Sequence, residues 1–250
     1  MKIVIANWKS NPNSLQSALK LANETEKSAS SFPAAETVIS PPFVYLSEVR
    51  KELVSAKLCA QDVFWNEGGA YTGEVNLAQL KELGVSYVIV GHSERRNYLK
   101  ESDPLINQKL LASLRYGFKV VLCVGNKEKT DNPMNFINKQ LAADLKELSR
   151  EDNLSNLIVA YEPIWAIGTG DAENPENAAE ISKKIKERID KQVKYEKIKV
   201  LYGGSVDEKN IESFMEKEEI DGVLVGGASL KPPVFARVIK SADKHGEGLD

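Results

Sequence analysis

The sequence predicts an α/β fold, a closed barrel of eight parallel strands ringed by helices, and three observations carry that prediction. Eight short apolar runs recur along 250 residues, segments of helical spacing lie between them, and the runs are continuously apolar, not alternating with polar residues. A strand that is apolar on both faces must be covered on both faces, which is the condition of a parallel sheet wrapped by helices. Eight units of roughly 30 residues match the size of such a barrel. A doubly wound open sheet is the alternative arrangement of the same units.

Taken in order, the first run is Ile3-Val4-Ile5-Ala6, ending at Asn7-Trp8-Lys9. Thr37-Val38-Ile39 and Leu58-Cys59-Ala60 follow, the latter ending at Gln61. Gly84 stands after a helical pattern and just before Tyr87-Val88-Ile89-Val90, the place of a C-terminal helix cap. Asp103-Pro104 supplies an N-cap and a first-turn proline to a helix whose buried face steps through Ile106, Leu110 and Leu114. Gly117 closes it before Val120-Val121-Leu122-Cys123-Val124. Ile137, Leu141 and Leu145 mark the next helix, Leu157-Ile158-Val159-Ala160 the sixth strand, and Ile181, Ile185, Ile189 and Val193 the helix after it. Val200-Leu201-Tyr202 and Val223-Leu224-Val225 complete the set. With no Pro/Ser-rich linker or composition break, residues 1–243 read as a single barrel domain, and the polar, glycine-bearing tail 244–250 is expected to fray.

Composition narrows the function classes. A net charge of −3 gives no general basic field, so no nucleic acid is expected, and an anionic ligand must be held by local dipoles and a few cations. Cys59 and Cys123 lie in apolar runs and form no Cys-x-x-Cys pair, which fits buried thiols in a reducing, cytoplasmic compartment without disulfides or zinc. No stretch approaches membrane-spanning length, so no membrane partner is expected, and the apolar run at the N-terminus is too short for a signal peptide.

Residues that follow the strands of a barrel converge on one face, and here they form a chemically coherent set. Glu162 comes directly after the sixth apolar run, and Pro163 then turns the chain into Ile164-Trp165-Ala166-Ile167-Gly168-Thr169-Gly170. A carboxylate presented beside a hinged, glycine-tipped lid points to proton transfer shielded from water. Alone, it reads equally as an ordinary loop glutamate. Asn7 and Lys9, two apart on an extended strand end, point to the same side with Trp8 directed away. Lys9 by itself reads as a surface lysine. His92 precedes what looks like the first turn of a short helix, whose N-terminus opposes an imidazolium and favours a neutral ring able to donate to a substrate oxygen. A structural histidine satisfied by backbone is the alternative. With a single histidine outside the tail, no metal site is expected. Gly203-Gly204-Ser205 and Gly226-Gly227 follow the last two strands, where barrel enzymes bind phosphate on backbone N–H groups. One Gly-Gly usually means a tight turn; two pairs opposite a carboxylate, a histidine and a lysine carry more weight.

Four motifs resemble the triosephosphate isomerase family in order and spacing: Asn7-Trp8-Lys9; Gly91 to Arg96; Ala160 to Gly170; and Tyr202 to Val206 with Val225 to Ser229. The resemblance covers essentially the whole chain. It implies a TIM barrel that interconverts dihydroxyacetone phosphate and glyceraldehyde 3-phosphate through an enediolate, without a cofactor. It further implies Glu162 as base, neutral His92 as electrophile, and Lys9 and Asn7 stabilising negative charge with Glu94 pairing to Lys9. Phosphate would rest on Gly168, Ser205, Gly226 and Gly227, and Ile167 and Leu224 would crowd Glu162 when the lid shuts. A Schiff-base aldolase using Lys9, or a non-catalytic phosphate-binding barrel, are the other readings of the same residues.

The long loop Asp62 to Glu74 carries three aromatic residues that would be costly to expose, so it is expected to dock on a second subunit. In the family this is a two-fold homodimer in which Thr72 reaches the partner's Asn7 and Lys9 region. The chain departs from the family pattern at Ser10-Asn11-Pro12, which removes an apolar side chain near that interface. At Asn126 a glutamate is usual, so any acceptor for Trp165 would be neutral. The second lid hinge, Asp171-Ala172-Glu173, also differs.

Overall fold

A computed structural model describes residues 1–130, 132–169 and 171–246. The strands are β1 (Lys2–Asn7), β2 (Ala35–Ser40), β3 (Lys57–Ala60), β4 (Tyr87–Val90), β5 (Lys119–Asn126), β6 (Leu157–Pro163), β7 (Lys199–Tyr202) and β8 (Gly222–Val225). Each pairs in parallel with the next, and β8 returns to β1 through Ile3↔Gly222 and Ala6↔Val225, so the sheet is a closed barrel. Every apolar run lies inside one of these strands. The helices are α1 (Leu15–Ser31), α2 (Leu46–Lys51), α3 (Leu77–Glu82), α4 (Ser93–Tyr98), α5 (Asp103–Arg115), α6 (Met134–Asp144), α7 (Pro175–Val193), α8 (Ile211–Met215) and α9 (Pro232–Lys244).

Alternate strand residues divide between two cores. Ile3, Ile5, Val38, Cys59, Tyr87, Ile89, Val121, Cys123, Ile158, Ala160, Leu201 and Leu224 fill the barrel interior. Val4, Ala6, Ile39, Leu58, Val88, Val120, Leu122 and Val159 face outward against helix residues that include Ile106, Leu110, Ile137, Leu141, Ile185 and Ile189. This is why the runs are uninterrupted: both phases of the strand are buried. Each helical stripe read from the sequence is the buried stripe of its helix. The packed interior leaves the strand ends as the place for a site.

Local chemistry sets the boundaries. Gly84 and Gly117 have φ of 76° and 85°, the left-handed conformation that a helix end needs. The N-cap of α5 is Ser102, one residue earlier than expected, with Asp103 and Pro104 inside the first turn. Asn174 caps α7 through two backbone N–H groups, those of Glu176 and Asn177. Lys244 and His245, expected to fray, instead end α9 and pair with the Glu212 carboxylate on α8. That carboxylate gives both side chains a partner the linear sequence did not reveal. Residues 247–250 of the expected tail, and Gly170 of the lid, lie outside the described residues.

Candidate active site

Asn7, Lys9, His92 and Glu162 meet at the carboxyl end of the barrel, around a cavity of about 440 Å³. The opposite wall comes from Ile167, Gly168, Gly203, Gly204, Ser205, Leu224, Gly226 and Gly227. All the residues assigned to phosphate therefore line one space with the candidate base.

Lys9 does not lie on an extended strand end. Its φ is 53°, a left-handed backbone that a long side chain adopts only when its surroundings impose it. The Lys9 N–H donates to Asn7 Oδ1 at 3.0 Å, and Gln61 Nε2 donates to the Lys9 carbonyl at 2.8 Å and to the Ser40 carbonyl at 2.9 Å. Gln61 thus ties the ends of β1, β2 and β3 together and fixes the turn that aims the lysine. Lys9 Nζ reaches Glu94 Oε1 at 2.5 Å. Glu94 does not line the cavity and meets Lys9 only through this ion pair. A Cβ at Gly226 would stand 3.2 Å from Lys9 Cε, a tight contact that would press on the lysine side chain.

His92 is the N-cap of α4, and its Nδ1 accepts the Glu94 backbone N–H at 3.3 Å. A ring nitrogen that accepts carries no proton, so this contact favours the tautomer with its proton on Nε2. Nε2 lies 3.0 Å from Glu162 Oε1.

Glu162 was expected at the surface, just past its strand, and is instead inside β6 with 2% of its area exposed. The cause is the register: β5 and β6 pair through Gly125↔Glu162 and Asn126↔Pro163, so the strand continues beyond its apolar run. Gly125 permits that pairing, because a Cβ there would fall 1.7 Å from the Glu162 carbonyl oxygen. The Ser93 N–H donates to Glu162 Oε2 at 2.9 Å. His92 is close to Oε1 but not aligned with it, so this buried oxygen has no hydrogen-bond partner. One carboxylate oxygen is anchored, and the other is buried against the His92 ring without a hydrogen bond.

The lid leaves the barrel at Pro163, turns through Ile164–Ala166, and brings Ile167 and Gly168 to the cavity edge. Pro163, Ile164, Trp165, Ala166 and Thr169 do not line it. Near the lid's tip the Ile167 N–H donates to the Ile164 carbonyl and Thr169 Oγ1 to the Ala166 carbonyl, while the Asp171 N–H of the second hinge donates to Thr169 Oγ1. The second hinge is tied down by the Glu173 N–H donating to Tyr202 Oη at 3.0 Å, so its altered residues keep a backbone anchor. Tyr202 itself stacks on Phe214 with ring centroids 4.2 Å apart.

The triosephosphate isomerase family model matches residues 2–242. The chain belongs to that family. It is 42% identical to the triosephosphate isomerase of Dictyoglomus thermophilum over 249 residues, covering 96% of this chain and 99% of the relative. It is 40% identical to that of Caldanaerobacter subterraneus subsp. tengcongensis, covering 95% and 98%, and 41% identical to that of Natranaerobius thermophilus, covering 96% and 95%. The TIM barrel and the isomerase class read from the sequence stand, and the chain is an enzyme that isomerises triose phosphates. Among the described residues no group of three or more histidine, cysteine, aspartate or glutamate side chains is placed to hold a metal ion. No helix of the described residues is long and apolar enough to cross a membrane.

Sequence reasoning missed three contributors. Gln61 appeared only as a strand-end residue, and neither Gly125 nor Lys129 had a role assigned to it. Lys129 Nζ sits 4.6 Å from the centre of the Trp165 ring. Asn126, in turn, is not a partner of Trp165: its Oδ1 accepts from Tyr161 Oη at 3.3 Å and its Nδ2 donates to the Glu128 carbonyl at 2.8 Å.

Proposed function

We propose that Glu162 removes a carbon-bound proton from dihydroxyacetone phosphate and returns it to the neighbouring carbon, giving glyceraldehyde 3-phosphate. The observation that carries this reading is the carboxylate itself: buried in the wall of the cavity, anchored through Oε2 on the Ser93 N–H, with Oε1 3.0 Å from His92 Nε2. To reach substrate it must leave the Ser93 N–H, and the crowding apolar side chains of Ile167 and Leu224 then keep water away from it. His92 donates through Nε2 to the substrate oxygens as negative charge moves between them. Lys9 supplies the cation for the enediolate and Asn7 a further polar contact, since both line the same cavity. Phosphate rests on the N–H groups of Gly168, Ser205, Gly226 and Gly227, where the short turn Gly227–Leu230 begins.

The ion pair with Glu94 favours Lys9 as a fixed charge over Lys9 as a nucleophile. A coupled assay with either triose phosphate, run beside borohydride trapping, separates the isomerase from an imine-forming aldolase. Turnover with no trapped adduct at Lys9 is the expected result.

A homodimer is part of the same proposal. The loop aromatics pack on one another, with Phe64 4.3 Å from Trp65 and 4.5 Å from Tyr71, and Phe64 is buried within its own subunit. The expected cost of exposing all three therefore shrinks to Tyr71 and part of Trp65. Support comes from a wider set: Val44, Tyr71, Tyr98 and Leu99 are all exposed on the consecutive segments that follow β2, β3 and β4, Tyr98 and Leu99 at the end of α4. Light scattering at micromolar concentration is expected to give about 55 kDa, twice the 27.6 kDa of one chain; a monomer overturns the proposal. A cytoplasmic setting is also inferred, and the two buried free thiols support it.

A further inference from the structure

We propose that Arg96 is a positioning residue for the reacting groups: its guanidinium fixes the peptide that joins Gly91 to His92, and through it the His92 ring and the Ser93 N–H. The proposal rests on the isomerase reading of His92 and Glu162.

A helix as short as α4 has little stability of its own, and an apolar face packed on the fold is the usual remedy. α4 lacks one: of Ser93–Tyr98 only Ser93 is buried, and Tyr98 is exposed. Polar contacts hold it instead. Glu94 pairs with Lys9, and Arg95 with Asp62 and Glu101. Arg96 grips the turn that enters the helix. Its backbone N–H donates to the His92 carbonyl at 3.1 Å and its Nε to the Gly91 carbonyl at 2.7 Å, so the carbonyls on both sides of the His92 backbone end on one residue. The rest of the guanidinium is bolted to three other elements. Nη2 donates to the Cys123 carbonyl of β5 at 3.2 Å and to Asp144 Oδ2 of α6 at 2.5 Å, and Nη1 donates to Asp103 Oδ1 of α5 at 2.5 Å. Gly91 has φ of 72°, and a Cβ on it would stand 2.8 Å from Nη2, so the guanidinium packs directly on that backbone. A planar fork of donors makes these contacts together, which the compact ammonium of a lysine cannot do. The groups that depend on the turn come next in the chain. His92 Nε2 stands 3.0 Å from Glu162 Oε1, and the Ser93 N–H holds Glu162 Oε2 at 2.9 Å. A shift of the Gly91–His92 peptide therefore displaces the ring donor and the anchor of the base together. The backbone assigned to phosphate, at Ser205, Gly226 and Gly227, follows β7 and β8 and does not touch this turn.

Arg96 also serves the fold, as the cation beside the fully buried Asp144, and substitution separates the two roles. Arg96→Lys keeps a cation for Asp144 but gives up the Gly91 carbonyl; Asp144→Asn keeps the Gly91 contact and gives up the buried charge pair. For each variant the measurements are kcat and KM with either triose phosphate, the dissociation constant of inorganic phosphate, Tm, and the 15N resonances of the His92 ring, assigned with His245→Gln. In Arg96→Lys, kcat falls by ~10- to 100-fold while phosphate binding stays within about 2-fold, because misplaced reacting groups cost rate and the phosphate backbone is untouched. The His92 ring then shows a mixture of tautomers in place of an unprotonated Nδ1 and a protonated Nε2. Asp144→Asn lowers Tm but keeps kcat within about 2-fold and leaves the His92 resonances unmoved. The proposal is overturned by an Arg96→Lys variant that keeps kcat within about 2-fold, keeps the His92 resonances, or does not fold, and equally by matching losses of kcat in the two variants. Absence of isomerase turnover in the unaltered protein overturns the functional reading instead, and the His92 resonances still decide the role of Arg96.

Discussion

Replacing Lys109 by methionine tests how the loops bearing the site are held. Lys109 on α5 is 3% exposed and its Nζ contacts Asp62 Oδ1 at 2.7 Å, Asp62 Oδ2 at 2.8 Å and Glu101 Oε1 at 2.5 Å. Arg95 joins the same cluster, 2.8 Å from both Asp62 and Glu101. The cluster therefore joins the loop after β3 to the segment after β4, one residue from the Glu94 that pairs with Lys9. Removing the ammonium leaves two buried carboxylates sharing one guanidinium. Breaking a buried pair from one side costs about 3–5 kcal/mol, and the retained Arg95 contacts place this variant near the lower figure, ~3 kcal/mol. For a chain of this size that corresponds to a fall in Tm of roughly 6–12 °C.

The pH dependence supplies a second readout. Burial raises the Asp62 carboxyl even with Lys109 in place. Burial also opposes ionisation of Glu101, but its hydrogen bonds to Lys109 and Arg95 outweigh this and hold the carboxyl below its usual range. In the unaltered protein Glu101 thus contributes stability above the ordinary carboxylate value, and this is lost on acidification. Without Lys109 both carboxyls move upward, so the ionised form is the penalised one and a lower pH relieves it. Urea unfolding at fixed protein concentration is expected to show the full deficit at pH 7.5 and a smaller one at pH 5.5. A deficit under ~1 kcal/mol, or one that does not shrink with acid, refutes the reasoning.

Two further outcomes follow from buried and exposed groups. Burial pushes the Cys59 thiol up to about 12 and raises Cys123 well above the ordinary thiol value, so neither is expected to react with a disulfide reagent at pH 8 faster than the protein unfolds; rapid labelling contradicts their place inside the barrel. Hydrogen bonds from Lys244 and Ser241 lower the Glu212 carboxyl to about 2, so its contribution is present above the usual glutamate value and lost as pH falls toward 2. Because Glu212 is solvent-exposed, Glu212→Gln is expected to cost only about 0.5–1 kcal/mol at pH 7, with proteolysis of the chain end as the sensitive measure, and an unchanged cleavage rate counts against the pairing.

The eight strands and the principal helical stripes were legible because a barrel buries both strand faces and one helix face, and each leaves its period in the chain. Convergence of Asn7, Lys9, His92 and Glu162 was legible for the same reason: strand ends share a face. What the sequence concealed depends on register and backbone conformation. Glu162 is polar and so looked like the start of a loop, although Gly125 was the available sign that a neighbouring backbone approaches closely. The left-handed Lys9 follows from contacts to Gln61, a residue 52 positions away. Lys129 lies in a polar stretch with no periodicity, and only the folded chain places it over Trp165.

Turnover by Glu162→Gln tests the central claim most directly. The variant keeps the shape of the side chain and can still accept the Ser93 N–H, so inorganic phosphate should bind as it does to the unaltered protein. With the base removed, kcat is expected to fall by at least ~10²-fold. Near-normal kcat in a folded variant that binds phosphate would contradict the account.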